Sequence, residues 1–237
     1  MSTATATLLL PSTPAPAAVV DAPVARPALR PVHRAAPAGA AVLAKHAFDF
    51  AVALVALLVL APLLVGLALA VKVSSAGPVL YRQRRIGRDG RAFDILKFRS
   101  MRPDTGGTAF RVAAGAAPGG VEGVDRRTRV GKLMRSTSMD ELPQLLNVVR
   151  GEMSLVGPRP ERPEFVELFA DEVPGYADRH RMRVGITGLA QVRGLRGQSS
   201  IAERAAADNE YIESWSLRRD AAVVLRTVRV VVAGSAE

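Results

Sequence analysis

The sequence predicts a mainly α protein with one small β-hairpin. An apolar, membrane-embedded helix broken near its middle precedes a domain whose amphipathic helices lie at the membrane surface. Three observations predict this. The run from Phe50 to Val71 carries no charge over about 22 residues, the length of a bilayer-crossing helix, and has Pro62 near its centre. Asp89-Gly90 separates two runs of mixed polar and apolar residues, which is the chemistry of a hairpin turn. Leu142, Leu145, Leu146 and Val149 recur at helical spacing, and Val223, Val224, Val228 and Val231 stand among arginines in Leu217–Val232.

In chain order, residues 1–44 are rich in Ala, Pro, Ser, Thr and Val and almost free of acids, so a disordered tail is expected. Leu8 to Leu10 is too short for a signal-peptide core. In the apolar run Pro62 deletes a backbone hydrogen bond and favours a kink or break. Basic residues lie on both flanks, Lys45 before and Lys72, Arg82, Arg84, Arg85, Arg88 and Arg91 after, so charge asymmetry dictates no crossing. A spanning helix and one that bends at Ala61-Pro62 and returns to the same face both satisfy these facts.

Gly77 to Met101 carries the hairpin, with its arginines at headgroup level. Lys97 and Arg99, near the end of the second strand, are candidates to face a phosphate instead. Residues 103–124 are Gly- and Ala-rich and read as a flexible loop. Helical order returns with Val130, Leu133 and Met134 on one side, and Arg135 stands closest to Asp140 among the basic residues that crowd its approach. Glu164 to Phe169 begins a short helix. Gly185, Gly188 and Gly194 permit close backbone approach, while Thr187 and Gln191 offer hydrogen bonds. The dinucleotide spacing G-x-G-x-x-G is absent. Ile201 to Trp215 reads as helical.

Lys and Arg outnumber Asp and Glu 32 to 22, a net charge of +10, which favours an anionic partner. Aromatics at 5% are few for base stacking and no nucleic-acid motif is present, so nucleic acid is not expected. Without cysteine there is no disulfide framework or thiolate metal site. His33, His46 and His180 are too scattered for zinc, so any metal would be a hard cation on carboxylates.

The chemistry concentrates between Arg135 and Arg162. Asp140 and Glu141 fall at a helix start, and the basic turn Pro158-Arg159-Pro160 follows. A carboxylate beside arginines is a plausible nucleophile toward phosphorus, because the arginines offset the repulsion between anions. The plainer reading is a capping box, Ser138 with Glu141, in which Asp140 only serves the helix dipole. Pro143 complicates it: a helix capped at Ser138 would place that proline past the first turn, so the helix should start at Asp140 or be distorted there.

Together, KHAFDF with the apolar run and its proline, GPVLYRQRRIGRDGRAFDILKFRSM, TRVGKLMRSTSMDELPQLLNVVRGEMSLVGPRP and VGITGLAQVRG resemble the bacterial sugar transferases, the monotopic polyprenyl-phosphate phosphoglycosyl transferases. The resemblance runs from about Lys45 to Val232, leaving out the Gly/Ala loop. It implies a ping-pong reaction. A UDP-sugar gives its sugar-1-phosphate to an aspartate, and an undecaprenyl-type phosphate then takes it, which begins exopolysaccharide or glycoconjugate synthesis. By that match Asp140 is the nucleophile and a Mg²⁺ ligand, and Glu141 assists the second step or the metal. Arg135 and Arg159 fall at positions expected to contact phosphate, and Arg183, also a substrate-binding candidate, stands at the arginine of the family's R-P-G-I-T-G motif. The resemblance also implies a re-entrant membrane helix over 45–75 and a cytosolic catalytic domain over 76–237. The site would then lie on the cytoplasmic face of the inner membrane, against an anionic surface, with a homodimer left open.

Three departures stand out. The family's Ser-Pro bend is Ala61-Pro62, its R-P-G-I-T-G lacks the proline at Val184, and its A-Q-V-N-G-R has Arg193 for Asn, with the arginine displaced to Arg196. A membrane-anchored basic binding protein, or an inactive scaffold relative, are the competing readings.

Overall fold

The computed structural model describes residues 39–102, 125–197 and 199–232. The loop 103–124 and nearly all of the expected tail lie outside them. The tail's boundary shifts, because helix α1 (Ala40–Val59) already includes its last residues.

Helix α2 (Ala61–Ser74) follows after one residue. Leu60 leaves helical geometry at φ −86°, ψ 1°, yet still donates to Ala56 O and accepts from Leu64 N, both at 2.8 Å. Pro62 sits in the first turn of α2, where a missing N–H costs nothing. The break therefore falls just ahead of the proline, and no side chain caps it, as Ala61 dictates.

One stripe of α1 faces the protein: Val42, Lys45, Asp49 and Ala53 are buried. Leu43, Phe48, Leu58 and Val59 on α1, and Val65, Leu69 and Val73 on α2, are exposed. Among the described residues α1 alone is long and apolar enough to cross a membrane. Both halves nevertheless pack on the same body. Ala53 joins Phe93, Ile95, Leu145 and Val148, while Val71 joins Phe98 and Met134.

Strands β1 (Leu80–Ile86) and β2 (Ala92–Phe98) form the expected hairpin, in register from Leu80↔Phe98 to Ile86↔Ala92. At its turn Asp89 and Gly90 take φ of 53° and 72°, a conformation that Asp tolerates and Gly favours. Helices α3 (Arg129–Ser136) and α4 (Gln144–Val149) lead to strand β3 (Ser154–Val156) and helix α5 (Pro163–Glu172). Strand β4 (Gly185–Thr187) then pairs in parallel with β3, a pairing the sequence did not announce. Helices α6 (Leu189–Val192), α7 (Ile201–Glu213) and α8 (Leu217–Val232) complete the chain.

The crossing of β3 and β4 explains the glycines. A Cβ on Gly185 would lie 2.1 Å from Gly157 N, and one on Gly157 would lie 2.3 Å from Arg183 O. Only bare backbones approach this closely, so the VGPRP and VGITG segments meet here. Val184, which stands where the family has proline, is 1% exposed in the core and its carbonyl accepts from Ser154 N at 2.8 Å. The buried ammonium of Lys45 ties α1 to α8 through Asp220, at 2.7 Å, with Asp49 at 3.2 Å.

Candidate active site

Three local devices build the site. Thr128 caps α3 by accepting from Gly131 N at 2.9 Å, and Thr128 N bonds Ser100 O at 3.1 Å. A Cβ on Gly131 would come within 1.9 Å of that carbonyl, so glycine lets α3 lie on the end of β2. Ser138, at φ 55°, then turns the chain left-handed into a 3₁₀ turn, Met139–Glu141. Beyond Pro143, α4 is stitched to β2 by fully buried Asn147, whose Oδ1 accepts from Leu96 N at 3.0 Å and whose Nδ2 donates to Asp94 O at 2.8 Å. This stitch sets β2 beside the 3₁₀ turn.

The capping-box expectation is corrected. Ser138 makes no side-chain cap, and Glu141 N bonds its backbone carbonyl at 3.1 Å. The Glu141 side chain is engaged elsewhere. Its Oε1 accepts from Lys97 Nζ at 2.6 Å and from Arg159 Nη2 at 2.9 Å. Burial opposes its charge, but Arg159 and Lys97 outweigh burial and hold its pKa well below the ordinary range.

Asp140 differs from its neighbour. It is 6% exposed, and no hydrogen bond from the described residues reaches its carboxylate. Burial raises its pKa, opposed by the charge of Lys97, reinforced by Glu141, and opposed again by Arg135 and Arg159. The dyad thus divides into one carboxylate neutralised by direct bonds and one left uncommitted within reach of three cations. An uncommitted anion short of solvation is a reactive one.

Asp140, Glu141, Lys97, Arg135 and Arg159 come together in the fold. Arg196 joins them: it acts on the same electrostatic neighbourhood as Arg159 and Glu141, and its Nε donates to Gln191 O at 3.0 Å. The displaced arginine of the glycine motif thus still reaches the cluster. Arg193, which replaces the motif's Asn, pairs instead with Glu210 on the surface, Nη2 to Oε1 at 2.8 Å.

The remaining expectations separate. Arg99 is engaged at the end of α2, donating to Ser75 O at 2.6 Å, Val71 O at 3.3 Å and Pro78 O. Free carbonyls at a helix C-terminus attract a cation, which explains these bonds. Arg183 lies over Gly151, where a Cβ would be 3.6 Å from its Nη2, and Arg88 and Asp49 are charged neighbours. Thr187 bonds Thr227 of α8 at 2.7 Å. Gln191 Nε2 donates to Ile186 O at 3.0 Å. Sequence reading passed over Gln144, one turn beyond Asp140 and 2% exposed, whose Nε2 has no partner among the described residues.

No group of three metal-ligating side chains exists among the described residues. Asp140, buried and without a bond to its carboxylate from the described residues, is the side chain here that could take a hard cation.

The model of the bacterial sugar transferase family matches residues 40–234. A UDP-glucose:undecaprenyl-phosphate glucose-1-phosphate transferase of Caulobacter vibrioides is 48% identical over 190 residues, covering 78% of this chain and 68% of that protein. The Escherichia coli K12 protein of the same name is 42% identical over 78% of this chain, which spans only 39% of that longer protein. The exopolysaccharide production protein PSS of Rhizobium leguminosarum is 44% identical over 78% of this chain and 92% of its own length.

Proposed function

The chain belongs to the bacterial sugar transferase family, and on that premise we propose that it moves a sugar-1-phosphate from a UDP-sugar to an undecaprenyl-type phosphate. UDP-glucose is the donor we favour, since the Caulobacter and Escherichia relatives are named for it. The observation that carries the proposal is the contrast within the dyad: Glu141 is bonded to two cations while Asp140, beside it, is buried and uncommitted.

In the first half-reaction an Asp140 oxygen attacks the sugar-bearing phosphorus. The bond from that phosphorus to the bridging oxygen breaks, and UMP leaves with the electron pair. In the second half an oxygen of the lipid phosphate attacks the same phosphorus, and Asp140 departs as a carboxylate. Lys97, Arg135 and Arg159 spread the charge of the reacting phosphoryl group, and Arg196 extends this positive rim. Glu141 holds Lys97 and Arg159 in place. Asp140 would hold Mg²⁺, which would supply positive charge to the leaving phosphate.

The lipid acceptor requires a site at the bilayer surface. The exposed apolar residues of α1 and α2, with Leu217, Val224, Leu225 and Val228 on α8, support such a seat. Packing of both α1 and α2 on one body supports the re-entrant form. We place the site on the cytoplasmic face of the inner membrane as part of the same proposal.

The test supplies UDP-glucose, polyprenyl phosphate and Mg²⁺ and measures released UMP. Asp140→Asn should abolish release while membrane binding persists. With acceptor withheld, a phospho-sugar adduct should map to Asp140; an adduct on another residue refutes the assignment.

A further inference from the structure

Beneath the Pro158–Pro160 turn lies buried charge that the reaction does not touch. Arg179 is 0% exposed and Asp208, on α7, 1%. The Arg179 guanidinium donates from Nε and Nη2 to Asp208 Oδ2 at 3.0 and 2.5 Å, and from Nη1 to Tyr176 OH at 3.0 Å. Its Nη2 also donates to the backbone carbonyl of Arg159 at 3.0 Å. On the other side of the turn, Arg85 Nη1 donates to Pro160 O at 3.2 Å, and Ile86 N bonds Glu161 O at 2.8 Å. Glu161 is itself paired with Arg204, Oε1 to Nη1 at 3.3 Å.

Buried ion pairs of this kind are weak contributors to stability, because desolvation consumes most of their attraction. What a forked guanidinium supplies is direction. Here the fork joins α7 to the peptide carbonyl of a residue whose own side chain reaches the dyad, at 2.9 Å from Glu141. Both ends of Arg159 are therefore held, its carbonyl by Arg179 and its guanidinium by Glu141.

We propose that Arg179 is a positioning residue for phosphoryl transfer: by holding the Arg159 carbonyl against Asp208, it aims the Arg159 guanidinium into the site. The proposal rests on the function inferred above. Displacements near 1 Å at a reacting centre cost about 100-fold in rate, so the effect is measurable. Arg179→Lys keeps the charge facing Asp208, but a lysine head cannot span Asp208, Tyr176 and the carbonyl together.

The experiment is a double-mutant cycle on the full chain in detergent or nanodiscs, with kcat/KM for UDP-glucose and Tm read for each variant. Arg179→Lys should lower kcat/KM by about 100-fold in the parent. In an Arg159→Ala background the same change should cost less than about threefold, because no guanidinium remains to be aimed. The Tm loss should be the same in both backgrounds. Tyr176→Phe, which removes one bond to Arg179, repeats the comparison with a milder change and serves if the lysine variant does not fold. Equal rate losses in both backgrounds would overturn the inference while leaving the proposed reaction intact. A parent enzyme inert toward every UDP-sugar would overturn both.

Discussion

Replacing Lys97 with methionine separates the electrostatic account of the dyad from a merely structural one. Its ammonium lies 2.6 Å from Glu141, with the two side chains 18% and 17% exposed. Breaking a buried pair from one side costs about 3–5 kcal/mol. Arg159 remains on the same Glu141 oxygen, so roughly half that is expected, about 2 kcal/mol. For a chain of this size that lowers Tm by about 4–8 °C. Turnover should fall further, by about 100-fold, because a preorganised positive charge is lost from the reacting phosphoryl group. The pH profile is the decisive readout. Burial raises the Asp140 pKa and Lys97 is the largest force opposing that rise. Removing it should move the acid limb of kcat/KM to higher pH, and Lys97→Arg should bring the limb back. An unmoved acid limb, with turnover within threefold of the parent, would refute the reasoning and leave Lys97 a structural residue.

Other outcomes follow from the same geometry. Because burial raises the Asp140 pKa above its ordinary 3.8, the ionised carboxylate destabilises the fold. Asp140→Asn should therefore raise Tm at neutral pH, with the gain shrinking as pH falls toward 3.8; thermal melts across pH check this. Asp220 accepts from Lys45 at 2.7 Å, Tyr211 at 2.6 Å and Trp215 at 3.2 Å, so Asp220→Asn should cost about 3 kcal/mol, read by denaturant melts in detergent. Gly131→Ala places a methyl 1.9 Å from Ser100 O, should cost about 1–3 kcal/mol, and should slow UMP release by displacing α3 and Arg135.

Where the signal is local, the sequence speaks clearly. Pro62, Asp89-Gly90 and the amphipathic α8 each appear where composition placed them. The cluster of Lys97, Arg135 and Arg159 around the dyad was legible because family motifs carry it. The remainder depends on partners distant in the chain. Strands of three residues have no period to read, so β3 and β4 were silent until Gly157 met Gly185. Arg99 and Arg159 look alike as letters; only the free carbonyls at the end of α2 engage the first. Ser138 and Glu141 match a capping pattern, yet Pro143 and two cations draw the chain and the carboxylate elsewhere. A fully buried arginine such as Arg179 reads in sequence as one more surface charge.

The Lys45–Asp220 pair joins residues 175 positions apart, and this orders events during synthesis. The ribosome delivers the lysine well before Asp220, the carboxylate that lies closest to it. Until then the leading helix carries a cation and Asp49 with one another for company, at an edge that must eventually close against α8. A nascent chain therefore holds an apolar helix whose buried lysine has Asp49 but still lacks Asp220. Full pairing of the charged stripe on α1 therefore waits on translation of α8.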